Sequence, residues 1–294
     1  MSYEESIREW LKQADEMAAR PEEMLPDGRK PKEVAEQLIE KSLRHDPTHG
    51  EALSMWVDWY VRTGRGPMVM KRLNRVIKDY PNAVGPYRAI AAFMRITGKL
   101  DLAIQYFQNL LGEATEESLG ILHLCLGELY AAKGDLAALR LIRTEMAKFP
   151  PVDPLTQGML CLEDNDGAGI LALSEKIEDE AMKYTLWGMI AEANGDLNNA
   201  GQYFFHVSNL ENPNWYAYNS LATMWLQNNN VEYTKAYLDL AEELAPNAPE
   251  VFLTKARYYQ LIEDGEKARP IKVKLLSLSG CFARTRRLAQ KHLW

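Results

Sequence analysis

The sequence has no run of about eighteen uncharged apolar residues, the least that a membrane-crossing helix needs. Cysteine is scarce. Cys125, Cys161 and Cys281 are scattered, odd in number and without a CxxC pair, which excludes a disulfide framework and fits a reducing compartment. The opening residues, MSYEESIREWLKQADEM, carry acids where a secretory leader needs basic residues, so a cytoplasmic address is expected. Also missing are GxSxG, a glycine-rich phosphate loop and HExxH, the short motifs of hydrolases, nucleotide-binding enzymes and metalloproteases. No enzyme activity, cofactor or metal is therefore expected.

What is present is ordinary in amount and unusual in arrangement. Hydrophobic residues make up 47% and charged residues 26%, as in soluble globular proteins. The net charge of -7 is unevenly spread. From Lys255 onward ten Lys/Arg face three acids, so this end carries +7 and the rest of the chain -14. Such an asymmetry speaks of partners and not of fold.

Punctuation residues recur at a fixed distance. Pro47 and Pro81 each close a helical pattern and lie 34 residues apart, as do the turn residues Gly64 and Gly98, and Gly195 and Asn229. Pro213 and Pro246 are 33 apart. A period of about 34 residues, made of two helices and two turns, is that of a helix-hairpin array. Large and small residues follow the same register: Tyr184, Trp187 and Gly188 precede Ala200, Phe204 and Val207, and Tyr218, Leu221, Ala222 and Trp225 precede Leu238 and Ala241. Tyr87, Ile90, Ala91 and Met94 repeat the scheme, while Val69 and Leu139 stand where small residues are preferred. Asp135 and Asp196 follow turn glycines as N-caps, and Asp153 precedes Pro154 at a helix start.

These residues resemble the tetratricopeptide repeat family from about Pro31 to about Leu278. The resemblance implies an all-α, right-handed α-solenoid of helix hairpins. Its concave face, lined by the first (A) helix of each hairpin, would grip a peptide or a partner helix. Five segments are expected: a divergent hairpin with a long linker over 1–47, repeats over 48–151, a degenerate short hairpin over 152–180, repeats over 181–280 and a basic capping helix over 281–294. The last repeat is expected to drift after Glu263.

Candidate sites for other chemistry give way to plainer readings. DNDG at 164–167 has the start of a calcium loop, but Leu162 and Leu173 occupy two of the ligand positions, which leaves a capped turn. His45 and His49 are one turn apart in number only, because Pro47 breaks the helix between them. His123 and Cys125 point to different faces of one helix.

The family's groove positions supply Asp58, Arg88, Arg95, Glu128, Glu192, Tyr216, Asn219 and Arg257 as binding candidates. Tyr216 is expected to point into the groove, and replacing groove residues is expected to leave the fold intact. The mixture differs from the two-carboxylate clamp by which some relatives hold chaperone tails, with Ser54, Asp58, Arg88 and Ala92 at the clamp positions. A second surface is the C-terminal helix, where Arg284, Arg287 and Lys291 share one face. It could meet nucleic acid, an acidic partner or the acidic body of another copy. The acidic body weighs against nucleic acid, so the expected role is a scaffold or adaptor for a protein or peptide partner.

Overall fold

The computed structural model describes residues 3–20, 24–277 and 282–293. These residues contain seventeen helices and no strand. The chain forms two compact units, Met1–Cys125 and Leu126–Trp294, and the division falls inside α7 (Glu116–Lys133). The first unit pairs α1 (Tyr3–Ala18) with α2 (Pro31–His45), followed by α3 (Gly50–Arg62) and α4 (Pro67–Asp79), then α5 (Val84–Ile96) and α6 (Leu100–Leu111). In the second, α8 (Leu136–Met146) follows α7, and α9 (Pro154–Leu162) pairs with α10 (Gly167–Ser174). Then come α11 (Glu180–Ala193) with α12 (Leu197–Ser208), α13 (Trp215–Gln227) with α14 (Val231–Leu244), and α15 (Pro249–Leu261) with α16 (Gly265–Ser277). The last helix is α17 (Ala283–Leu293); Cys281 and Trp294, the ends of the expected capping segment, lie outside the described residues.

From α3 onward, each turn within a hairpin is made by one residue in the left-handed region: Gly64, Gly98, Gly134, Asn165, Gly195, Asn229 and Glu263. Asn and especially Glu take this conformation at a cost that glycine does not meet. The expected drift after Glu263 is therefore corrected. Glu263, at φ 56°, stands 34 residues after Asn229, and α16 follows in register.

Helix starts obey local chemistry. Asp135, Asp153 and Asp196 accept from the amides of Ala138, Thr156 and Asn199, satisfying donors that the first turn leaves free. His49 does the same for Ala52, which gives that histidine a structural role. His45 packs instead against the rings of Tyr3 and Trp10.

Packing explains the small residues. A Cβ on Gly188 would meet the Phe204 ring at 2.4 Å, so glycine lets α11 and α12 approach. A Cβ on Gly127 would meet Leu160 Cδ1 at 2.8 Å, so this glycine lets α7 and α9 approach, while Leu139, oversized for its position, is wholly buried. The short hairpin has a nine-residue α9 and an eight-residue α10, joined by the DNDG turn. There Asp166 caps Gly169, and Asp164 accepts from Arg140 Nε at 2.6 Å and from Arg143. The two acids thus face guanidinium groups inside a capped turn. In the first unit, Trp59 donates to Glu36 at 3.2 Å, and Arg65 pairs with the same carboxylate. One turn along, Glu40 accepts from Trp56, Tyr60 and Arg72.

Candidate functional site

The second unit brings the two candidate surfaces together. Along α15, Glu250, Leu253, Thr254 and Arg257 fall at the spacing of one helix face, and on α13 so do Tyr216, Asn219, Ser220 and Thr223. These side chains, with Glu192 at the end of α11 and Glu163 just after α9, line a cavity of about 130 Å³. The chain's own C-terminal segment forms a further wall, through Phe282, Arg284, Thr285 and Leu288.

The contacts across that wall are specific. The backbone amide of Arg284 donates to both oxygens of Glu163 at 3.0 and 3.1 Å, as an N-terminal helix amide suits a carboxylate. The Arg284 guanidinium reaches Glu192 at 3.4 Å, and Thr285 Oγ1 donates to Glu250 at 2.6 Å. Arg287 lies 3.7 Å from Glu163, and Arg286 donates to the carbonyl of Ala132 at the end of α7. Beyond these, Ala289 and Leu288 pack with Phe252, Leu253, Ala256 and Leu275.

Burial sets the electrostatics. It pushes the Glu163, Glu192 and Glu250 carboxyls above their ordinary range, against the opposing pull of Arg284 on all three, Arg287 on Glu163 and Thr285 on Glu250. Tyr216 is held well above the usual phenol value, first by burial and then by Glu192. Its hydroxyl donates to Glu192 at 3.4 Å. Desolvation lowers the Arg257 guanidinium. The Oδ1 atom of Asn219 is buried without a hydrogen-bond partner, and this side chain lines the cavity.

No family model matches the sequence, and no curated protein is similar to it in sequence. Solved structures are similar in fold. A tetratricopeptide repeat protein from Parabacteroides merdae matches over 83% of this chain and 98% of its own, at 13% identity and a TM-score of 0.50. The chain has the tetratricopeptide-repeat fold. Two further matches are a chain of the Cut9–Hcn1 hetero-tetramer of the APC/C (15% identity, 88% of this chain, TM-score 0.45) and the tetratricopeptide domain of P58(IPK) (10% identity, 97% of this chain and 98% of that, TM-score 0.24). The chain spans about half, 52%, of the first of these two.

Within the tetratricopeptide-repeat framework, the eight groove candidates divide. Glu192, Tyr216, Asn219 and Arg257 line one cavity in the second unit, and Glu128 is buried on α7 with polar partners of its own. Asp58, Arg88 and Arg95 belong to the first unit, where Asp58 pairs with Arg62 at 2.6 Å and both α5 arginines are partly buried and engaged. Tyr216 needs correcting. It lines the cavity but is 6% exposed, with its ring against Phe204 and Trp215, so its removal is expected to cost stability rather than leave the fold intact. In the basic strip, Arg284 and Arg287 face carboxylates, Arg287 while still 57% exposed, and Lys291 is exposed with no such contact among the described residues.

Glu163, Glu250 and Thr285 are among the site residues to which the sequence did not point. Glu250 sits in the register that selects Leu253 and Arg257 and could have been found there. Glu163 lies where the shortened α9 breaks that register, and Thr285 carries no signal. Among the described residues no group of His, Cys, Asp and Glu is arranged to hold a metal, and no helix is long and apolar enough to cross a membrane. Burial pushes the Cys161 thiol up to about 11, so it is protonated at neutral pH and a poor nucleophile.

Proposed function

We propose that this protein is a non-enzymatic scaffold or adaptor of the cytoplasm, which holds a peptide or helix of a partner protein against the A helices of its hairpins. One observation carries the reading. In the second unit the A-helix face already seats a helical segment, by hydrogen bonds, ion pairs and apolar contacts together. A face that accommodates one helix with paired polar groups has the shape and chemistry to accommodate another. The free buried thiols Cys125 and Cys161 agree with a reducing environment. Nucleic-acid binding through the C-terminal end is the weaker reading, because two of the three arginines and lysines it would use are turned to carboxylates.

The test is a pair of photo-crosslinkers in the full chain. One replaces Thr223, which lines the cavity, and the other replaces exposed Leu240 on α14. A partner captured from Thr223 and not from Leu240 supports the reading, and the reverse pattern refutes it. Charge reversal of Arg88 and Arg95 asks the same of the first unit.

A further inference from the structure

The placement of α17 says more than that a groove exists. A helix that merely shields the end of an array from water needs to touch its last hairpin alone. The contacts of Ala289 and Leu288 with α15 and α16 are of this kind. The N-terminal half of α17 does something else. Arg284 bonds to Glu192, 92 residues away, and to Glu163, 121 residues away, while Arg286 reaches Ala132, 154 residues away. This half therefore lies across the A-helix side of several successive hairpins, as a bound segment would.

Charge agrees with that pose. The segment from Ala283 to Lys291 carries Arg284, Arg286, Arg287 and Lys291 and no acid, while the face beneath it presents Glu163, Glu192 and Glu250. Without α17 those carboxylates and the apolar Leu253 would be uncovered, with Arg257 as the cation among them. Such a surface selects a basic segment with an apolar residue one turn on, and rejects an acidic one. The fit is also incomplete. Asn219 keeps a buried acceptor unpaired beside the cavity, a group that a ligand with one more donor would satisfy.

We infer that the second unit's groove receives a basic amphipathic helix of a partner protein, bearing an Arg-Thr pair and an apolar residue as in Arg284, Thr285 and Leu288, and that α17 is the internal occupant which this helix displaces. The inference rests on the scaffold reading and narrows it. An intramolecular helix competes at an effective concentration of roughly millimolar, so a partner must bind more tightly than α17 or find it released.

The experiment uses the full chain and a fluorescent synthetic peptide of residues 282–293. Arg284→Glu weakens the ion pairs and Leu288→Asp attacks the apolar seat, giving two independent routes to release. Hydrogen exchange of the 283–293 amides reports release, and far-UV circular dichroism reports that the rest remains helical. Peptide binding at least about tenfold tighter to the released variants than to the wild type is expected. Adding Glu163→Gln and Glu250→Gln should abolish that gain, and a scrambled peptide of equal charge should bind no better than to the wild type.

Release without peptide binding overturns the inference, and so does α17 staying protected in both variants. A concentration-dependent wild-type dimer with exchanged α17 overturns it in favour of a second copy as the occupant. The scaffold reading survives each of these results if Thr223 still crosslinks a partner.

Discussion

Gly188 and Gly201 offer the same substitution with opposite outcomes. Both lie inside helices, so replacing either by alanine gains about 1 kcal/mol of helix propensity. At Gly201 the new Cβ would sit 3.5 Å from Met224 Sδ, an ordinary contact with a flexible side chain. Gly201→Ala is therefore expected to stabilise by about 0.5–1 kcal/mol. At Gly188 the Cβ would meet Phe204 at 2.4, 2.7 and 2.8 Å, and Phe204 is wholly buried with nowhere to turn. Overpacking of this kind costs about 1–3 kcal/mol, which outweighs the propensity gain. Gly188→Ala should thus lose about 1–2 kcal/mol, and Phe204→Leu in that background should recover part of it. Urea unfolding followed by far-UV circular dichroism measures both variants on one transition. If Gly188→Ala equals or exceeds the wild type, the close approach of α11 and α12 is not what requires glycine there.

Asp164→Asn would leave Arg143, whose side chain is 10% exposed, with Asp166, 3.2 Å away, as its remaining carboxylate, and should destabilise the second unit by about 3 kcal/mol; a loss under about 1 kcal/mol would mean the pair is dispensable. Glu250 has a raised pKa, so its contribution to stability is present below the ordinary carboxylate range and is lost as pH rises through the raised value. Glu250→Gln should therefore match the wild type in acid and melt at the same or a higher temperature at neutral pH, and a marked neutral-pH loss would contradict this. Glu36 behaves oppositely: Arg65 lowers its pKa, so its contribution is present above the ordinary range and disappears as pH falls through the lowered value. Thermal melts of Glu36→Gln should differ from the wild type at neutral pH and converge with it in acid.

The sequence made the fold legible because hairpin turns and packing positions obey strong local rules. Gly64, Gly98 and Gly195 announce their turns, and Gly188 announces a close helix pair. Glu263 occupies the same backbone conformation silently, since nothing in a glutamate signals positive φ. The site was half legible. The groove positions implied by the family resemblance selected Glu192, Asn219 and Arg257, and charge and helical spacing singled out Arg284 and Arg287. Neither could show that these two groups meet, because the contact joins residues 92 positions apart, Arg284 and Glu192. Tyr216 lines the cavity, but its burial could not be read from its position in the helix alone.

The bond from Arg286 to Ala132 also alters the topology of the second unit. A row of hairpins in which each touches only its neighbours can fray from either end, and its folding can start anywhere. Joining positions 154 residues apart turns that row into a closed circuit. Making this closure in an unfolded chain would cost about 4 kcal/mol of loop entropy, so it follows the stacking of the hairpins, which brings its two ends together beforehand. Docking of α17 is then expected to be the last step of assembly, and its release the first step of disassembly. While the circuit holds, the hairpins between α8 and α16 have no loose end from which to unzip.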